Sequence, residues 1–255
     1  GTNADDSGPD DRDGTLINGP TWVVGQIGTN ALQFDAVNDY VDMGVLPKLS
    51  GLGKATLAGW VFRATSGTTV GFGQHAEPNR FSMVWFSDDR VYTQVENNSA
   101  SFSSFASAAT GWHHYALVFD GALSGLSRTT VYFDGVAQTL TAGGVNPAAV
   151  LPSGAAQSAF RLGMDATTTA SRFWAGRVDD VRVYNYALSA TEVANLASVT
   201  PAFDITIAHD GNKTVAQTGS VTGTVTVSRI VGTAAAVTLS ALNLPAGARA
   251  AFRPT

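Results

Sequence analysis

The feature that most constrains this chain is a two-residue alternation of apolar and polar side chains, repeated in short runs from Thr15 to Tyr184. It appears in Ala31 to Phe34, Thr56 to Phe62, Phe81 to Phe86, Val91 to Val95, His113 to Phe119, Thr130 to Phe133, Phe160 to Gly163 and Val178 to Tyr184, with turn residues between the runs. A period of two places alternate side chains on opposite faces of a pleated strand. Strands at this spacing predict an all-β, two-sheet antiparallel sandwich. Thr56–Phe62 and His114–Phe119 are apolar on both faces, which assigns them to the centre of a sheet. One helix is predicted: Ser189-Ala190-Thr191-Glu192 matches a capping box, and Leu188, Val193 and Leu196 form one apolar stripe behind it.

The segment Ser198-Val199-Thr200-Pro201-Ala202 reads as a linker, because Pro201 biases its predecessor to extended backbone and no periodicity crosses it. Residues 1–197 are therefore one domain and residues 203–255 a second. In the second, runs from Phe203 to Ala208, Gly219 to Ile230, Ala236 to Leu242 and Ala248 to Phe252 read as four strands, half of a sandwich. The chain opens at Gly1 within an aspartate-rich loop and stops at Thr255 after an apolar alternation, so both ends are expected to be cuts from a longer protein.

Net charge is −5 with 14% charged residues, and no basic cluster is present, which argues against nucleic acid as a partner. No apolar run approaches the roughly 18 residues of a membrane span. Cysteine is absent, which removes disulfides and thiolate chemistry. Only three glutamates occur: Glu77, Glu96 and Glu192. Glu192 belongs to the helix cap and Glu96 to an expected loop, while Asp88 and Asp89 sit in an expected hairpin turn. Glycoside hydrolysis needs two carboxylates flanking the scissile bond, so the expectation is a protein that is not an enzyme, with no catalytic residue. Gly73-Gln74-His75 with Arg80 suggests a polysaccharide-lyase grouping only superficially, because no Tyr-Phe-Lys strand follows.

Four segments carry a family signature: Ala31-Leu32-Gln33-Phe34-Asp35-Ala36-Val37-Asn38-Asp39-Tyr40-Val41, Gly111 to Gly121, Val131-Tyr132-Phe133-Asp134-Gly135, and Gly176 to Ser189. Together they resemble the laminin-G-like, concanavalin A-like lectin/glucanase jelly-roll modules of large secreted bacterial proteins, over roughly residues 5 to 197. The resemblance implies a jelly roll, a secreted or cell-surface setting beside other domains of one parent chain, and often one structural calcium ion. Ala36 stands where the family has a glycine, so a turn needing positive φ would be strained there. The tail resembles the front half of a bacterial immunoglobulin-like repeat, through Thr224-Val225-Thr226-Val227 and Val237-Thr238-Leu239-Ser240 with Leu244-Pro245-Ala246-Gly247 after it.

Calcium takes six to eight oxygens, and three aspartate groups offer them: Asp5 with Asp6, Asp35 with Asn38 and Asp39, and Asp179 with Asp180. Strict alternation turns Asp179 inward with Val181 and Val183, and Asp180 outward with Arg182. The resemblance assigns the ion to Asp179 and a backbone carbonyl near Ala36, giving an expected set of Asp6, Asp35, Ala36 and Asp179. The competing reading satisfies Asp179 with backbone N–H groups or an arginine. For a polysaccharide or glycan, alternation offers Trp85 or Phe86, with Tyr92, on an open sheet face, and Trp85, Tyr92 and Arg80 are the residues expected to meet the ligand. Trp174 is expected in the core. The leading function is a non-catalytic carbohydrate-binding or adhesive module with a structural calcium site; the alternative is a ligand-free spacer in a long surface protein, and the third reading is a fragment attached to a polysaccharide-degrading enzyme.

Overall fold

The computed structural model describes residues 3–66, 70–76, 79–97, 101–166, 171–198, 204–209, 214, 219–220, 222 and 224–231. The chain divides into two units, residues 1–199 and 200–255. The larger unit is built on two large antiparallel sheets, and Met164–Ala166 pairs with Ser171–Phe173 in a separate two-stranded one. Nine described strands make one of the large sheets, in the order Asn3–Ala4, Gly14–Ile17, Tyr40–Asp42, Phe160–Leu162, Val70–Ala76, Asn79–Trp85, Arg90–Val95, Ser101–Ala106, Thr141–Gly144. Seven make the other: Val136–Ala137, Thr129–Phe133, Gly111–Asp120, Lys54–Arg63, Ala175–Tyr184, Ala31–Asp35, Thr21–Val23. Both strands that read as apolar on two faces, Lys54–Arg63 and Gly111–Asp120, are interior strands of the seven-stranded sheet.

Their inward side chains, including Leu57, Val61, Tyr115, Leu117 and Phe119, close on Phe72, Phe81, Met83 and Trp85 from the other sheet to form the core. Trp174 is fully buried there and stacks on Phe34 at 5.9 Å. A side chain at Gly176 would collide with the Trp174 indole, so the glycine is needed for this close approach. Outward, Ala58, Ala116, Val118 and Tyr132 are covered by Leu188 and Val193, which flank the start of the helix Ala190–Ala197. That helix starts as the capping box requires: Glu192 N–H donates to Ser189 Oγ at 3.3 Å, and Ser189 N–H donates to Glu192 Oε2 at 2.7 Å. Thr56 fixes the approach to it, its Oγ1 donating to the Tyr186 carbonyl and accepting from Leu188 N–H.

One expectation fails in the strand Ala175–Tyr184. Asp179 pairs with Trp60, on the outward face, and does not share the inward face of Val181 and Val183. The register shifts between Asp179 and Arg182, and Asp180 adopts φ 47°, so a bulge inserts one residue and reverses parity between Asp179 and Val181. Strict alternation has no means of anticipating that residue.

In the second unit, Asp204–His209 pairs antiparallel with Val225–Val231. The expected strands at 236–242 and 248–252 lie outside the described residues. No helix among the described residues is long and apolar enough to cross a membrane.

Candidate functional site

In the strand Asn79–Trp85, Phe81, Met83 and Trp85 face the core, which leaves Arg80, Ser82 and Val84 on the outer face of the nine-stranded sheet, with Phe86 following in phase. On the next strand Val84 lies opposite Tyr92 and Ser82 opposite Gln94, and on the one after that Phe102 lies opposite Gln94. Directly opposed residues of an antiparallel pair share a face. Phe86, Tyr92 and Phe102 therefore converge on the outside. Ring centroids are 4.9 Å apart for Phe86 and Tyr92 and 5.8 Å for Tyr92 and Phe102. Phe102 is 38% exposed, and Phe86 and Tyr92 are half-buried. The Phe102 ring lies where a side chain at Gly143 of the edge strand would stand, so that strand carries no obstacle there.

Polar groups frame these rings. Tyr92 Oη donates to Asp88 Oδ2 at 2.7 Å, and that bond, with burial adding to it, raises the phenol's pKa and keeps the hydroxyl protonated. Arg90 donates to Ser104 Oγ from two nitrogens, at 3.1 and 2.8 Å. The Arg172 guanidinium sits 4.8 Å above the Phe86 ring. The face thus combines apolar ring surface with donors and acceptors in fixed positions.

Of the three residues expected to meet a ligand, Tyr92 is on this face. Trp85 is not: it is fully buried, stacked on Phe72 at 5.8 Å and edge-on to Tyr115 at 4.7 Å. Phe86, its neighbour of opposite parity, takes the outward position. Arg80 lies on the outer side but is 6% exposed, with Nε 3.8 Å from Glu96 Oε2, so it is engaged within the protein. Glu96 lies just past the end of the strand Arg90–Val95, in the loop expected there, and is buried at 1% exposure. Phe102 escaped the sequence reading because Ser101-Phe102-Ser103-Ser104-Phe105-Ala106 puts its two aromatics on opposite faces in a serine-rich run, leaving no apolar stripe.

The four residues expected to hold calcium do not form one donor set. Asp35 pairs with Ala175, and Asp179 lies four residues further along the same strand, roughly 13 Å away at about 3.3 Å per residue. Asp179 Oδ2 accepts from Gln26 N–H and Ile27 N–H, both at 2.7 Å, and burial outweighs those bonds to raise its pKa. Asp35 Oδ1 accepts from Val37 N–H, which lowers that carboxyl's pKa, and Ala36 N–H donates to the Trp174 carbonyl. Asp6 accepts from Gly8 N–H and Arg12 N–H inside its own loop. Among the described residues no three acidic or histidine side chains meet as a metal cage would require.

A family model, that of the concanavalin A-like lectin/glucanases superfamily, matches residues 35–194. The chain belongs to that superfamily. Solved structures of the same fold include the Trypanosoma rangeli sialidase in complex with sialic acid, at 18% identity and TM-score 0.52, over 72% of this chain and 29% of that one. The botulinum neurotoxin serotype G binding domain matches at 13% identity and TM-score 0.52, over 76% and 47%. Domain 4 of an extracellular arabinanase from Geobacillus stearothermophilus, in complex with arabinotriose, is 22% identical with TM-score 0.48, over 72% and 88%. This chain spans less than a third of the sialidase's length. No curated protein matches it in sequence. The superfamily match contains the Phe86–Tyr92–Phe102 face and the Asp35 turn, and both lectins and glucanases share the fold, so the fold alone assigns no activity.

Proposed function

We propose that this chain is a non-catalytic carbohydrate-binding or adhesive module of a secreted or cell-surface protein, and that a glycan lies on the Phe86–Tyr92–Phe102 face. The observation that carries this reading is the outward convergence of those three rings beside Asp88, Arg90 and Arg172. A sugar ring offers an apolar face to an aromatic side chain and hydroxyls to its flanks, which this arrangement complements. The ligand class is supported by the superfamily, and a sialidase solved with sialic acid contains a region of this fold over 29% of its length. The second unit is read as the start of an immunoglobulin-like repeat, consistent with its antiparallel pair.

Affinity electrophoresis against a panel of soluble polysaccharides, with a glycan array, tests the proposal. Retardation by at least one glycan is expected, and Tyr92→Ala and Phe102→Ala should each weaken it about tenfold, equivalent to about 1.4 kcal/mol, with unchanged melting temperature. Uniform absence of binding leaves the spacer reading. Turnover of a polysaccharide that disappears on replacing a single acid would make the chain an enzyme instead.

Calcium remains part of the proposal only through the resemblance, and the fold separates it into alternatives. If the ion belongs to the strand Ala175–Tyr184, calcium raises the melting temperature of the parent chain and of Asp35→Asn but not of Asp179→Asn. The opposite pattern assigns it to the Asp35 turn, and no shift in any of them removes calcium.

A further inference from the structure

On the outer face of the seven-stranded sheet a single row of side chains crosses five strands. Trp112 pairs with Phe62, Phe62 with Arg177, Arg177 with Gln33 and Gln33 with Thr21. At about 4.8 Å between strands the row is roughly 19 Å long. Its first half is aromatic and cationic: Trp112 and Phe62 meet edge to face at 5.5 Å, and the Arg177 guanidinium lies 4.8 Å over the Phe62 ring. All three are half-buried, so part of each remains open to solvent. Its second half ends in an open cavity of about 320 Å³ lined by Asn18, Thr21, Gln33, Asp35 and Asp39, together with Gly19 and Phe34.

The polar groups of this cavity are held in place before any ligand arrives. Arg177 Nε donates to Gln33 Oε1 at 3.1 Å, and Asn18 Nδ2 donates to the Asn38 carbonyl at 2.8 Å. Asp35 is anchored through Oδ1 by Val37 N–H. Asp39 is only 4% exposed although it lines the cavity, and burial and the neighbouring charge of Asp35 raise its pKa against a single backbone N–H bond, from Asp35. A carboxylate buried beside another and holding one backbone donor keeps acceptor capacity to spare, which hydroxyl donors from a ligand would fill. Two carboxylates disfavour an anionic occupant, while amide and carboxylate oxygens beside an aromatic shelf suit a neutral, hydroxyl-rich one. The volume is near the lower limit for small-ligand sites, enough for one small ring.

We propose that this row is a second glycan-binding site, with one neutral sugar unit in the Asn18–Gln33–Asp39 cavity and the next units running over Arg177 and Phe62 toward Trp112. The inference takes its ligand class from the proposed function, but its residues and its sheet are separate. Two sites on opposite sheets would let one module bridge two glycan chains.

The test is ¹H–¹⁵N NMR of the whole 255-residue chain titrated with cellohexaose, xylohexaose and arabinohexaose, and with calcium chloride alone. At least one hexasaccharide should shift the amides of Thr21, Gln33 and Asp39, in the parent chain and equally in Tyr92→Ala. Gln33→Ala, and separately Asp39→Asn, should weaken that response at least tenfold while the remaining spectrum is retained. Shifts confined to the Phe86–Tyr92–Phe102 face overturn the second site and leave the first. Shifts confined to the cavity uphold the second site and overturn the first. Silence on both faces with all three sugars overturns both, and cavity shifts produced by calcium chloride but by no sugar make it a cation site and overturn the proposal.

Discussion

Ala36 shows how much one residue can reveal. It holds φ 67°, in the left-handed region that costs an L-residue roughly 1–2 kcal/mol, between Asp35 Oδ1 bonded to Val37 N–H and its own N–H bonded to Trp174. Ala36→Gly should therefore raise stability by up to about 1 kcal/mol, the relief being partly offset by roughly 0.4–1 kcal/mol of extra freedom for glycine in the unfolded chain. Urea midpoints measure it; a lower midpoint for the glycine variant would mean that the methyl group contributes packing. This strain was legible in the sequence, because the residue type at a known turn position is local information. The choice between Trp85 and Phe86 was not. Alternation says that the two point opposite ways, and only pairing with Val91 and packing on Phe72 and Tyr115 decides which way is in.

Among the elements, the hairpin from Asn79 to Val95 carries two of the three rings of the proposed ligand face, Phe86 and Tyr92, and its turn is fastened from the other sheet. Arg63, at the end of the strand Lys54–Arg63 and 1% exposed, donates from one terminal nitrogen to Asp89 Oδ1 at 2.7 Å and from the other to the Ser107 carbonyl at 2.8 Å. Ser107 N–H in turn donates to the Asp89 carbonyl. Asp89 is 30% exposed but Arg63 is buried, so removing Asp89 strands the arginine charge, and Asp89→Ala should cost up to about 3 kcal/mol. Arg63→Met with Asp89→Ala should be less destabilised than Asp89→Ala alone, since the double change leaves no buried charge. Strict additivity of the two changes in a denaturation cycle would show that the pair does not couple the sheets. The turn itself was readable from Ser87-Asp88-Asp89-Arg90, whereas its fastener, 26 residues away, was not. The bulge at Asp180 is a second feature of this kind, set by how the strand Ala175–Tyr184 bends across Gly59, where Val181 packs close against the glycine.

For the whole molecule, acid sensitivity has an identifiable source. His114 is 1% exposed, packs edge-on to Trp60, and burial pushes its pKa down to about 4 against the pull of Asp134. Between pH 6.5 and 4 the unfolded chain takes up a proton at this histidine that the folded chain refuses, so stability falls as pH drops through that window, by up to about 3 kcal/mol. The raised carboxyls of Asp39 and Asp179 act in the opposite sense: the folded state takes up their protons first, and stability recovers as pH falls through their raised values toward 3.8. Urea unfolding at pH 7, 5.5 and 4.5 should show the loss in the parent chain and a flatter profile in His114→Phe. An equal slope in both would place the sensitivity elsewhere.

The sandwich, its two interior strands and the capped helix were determined by the sequence alone, because alternation, apolar content and capping are written in neighbouring residues. Superfamily membership was legible for the same reason, through motifs that are each a single strand and its turn. Which ring of a pair faces water, which aspartates share a site and where a strand bulges depend on partners far along the chain. Those were decided by the pairing of strands and the closing of one sheet on the other, which convert small differences in register into opposite faces of the protein.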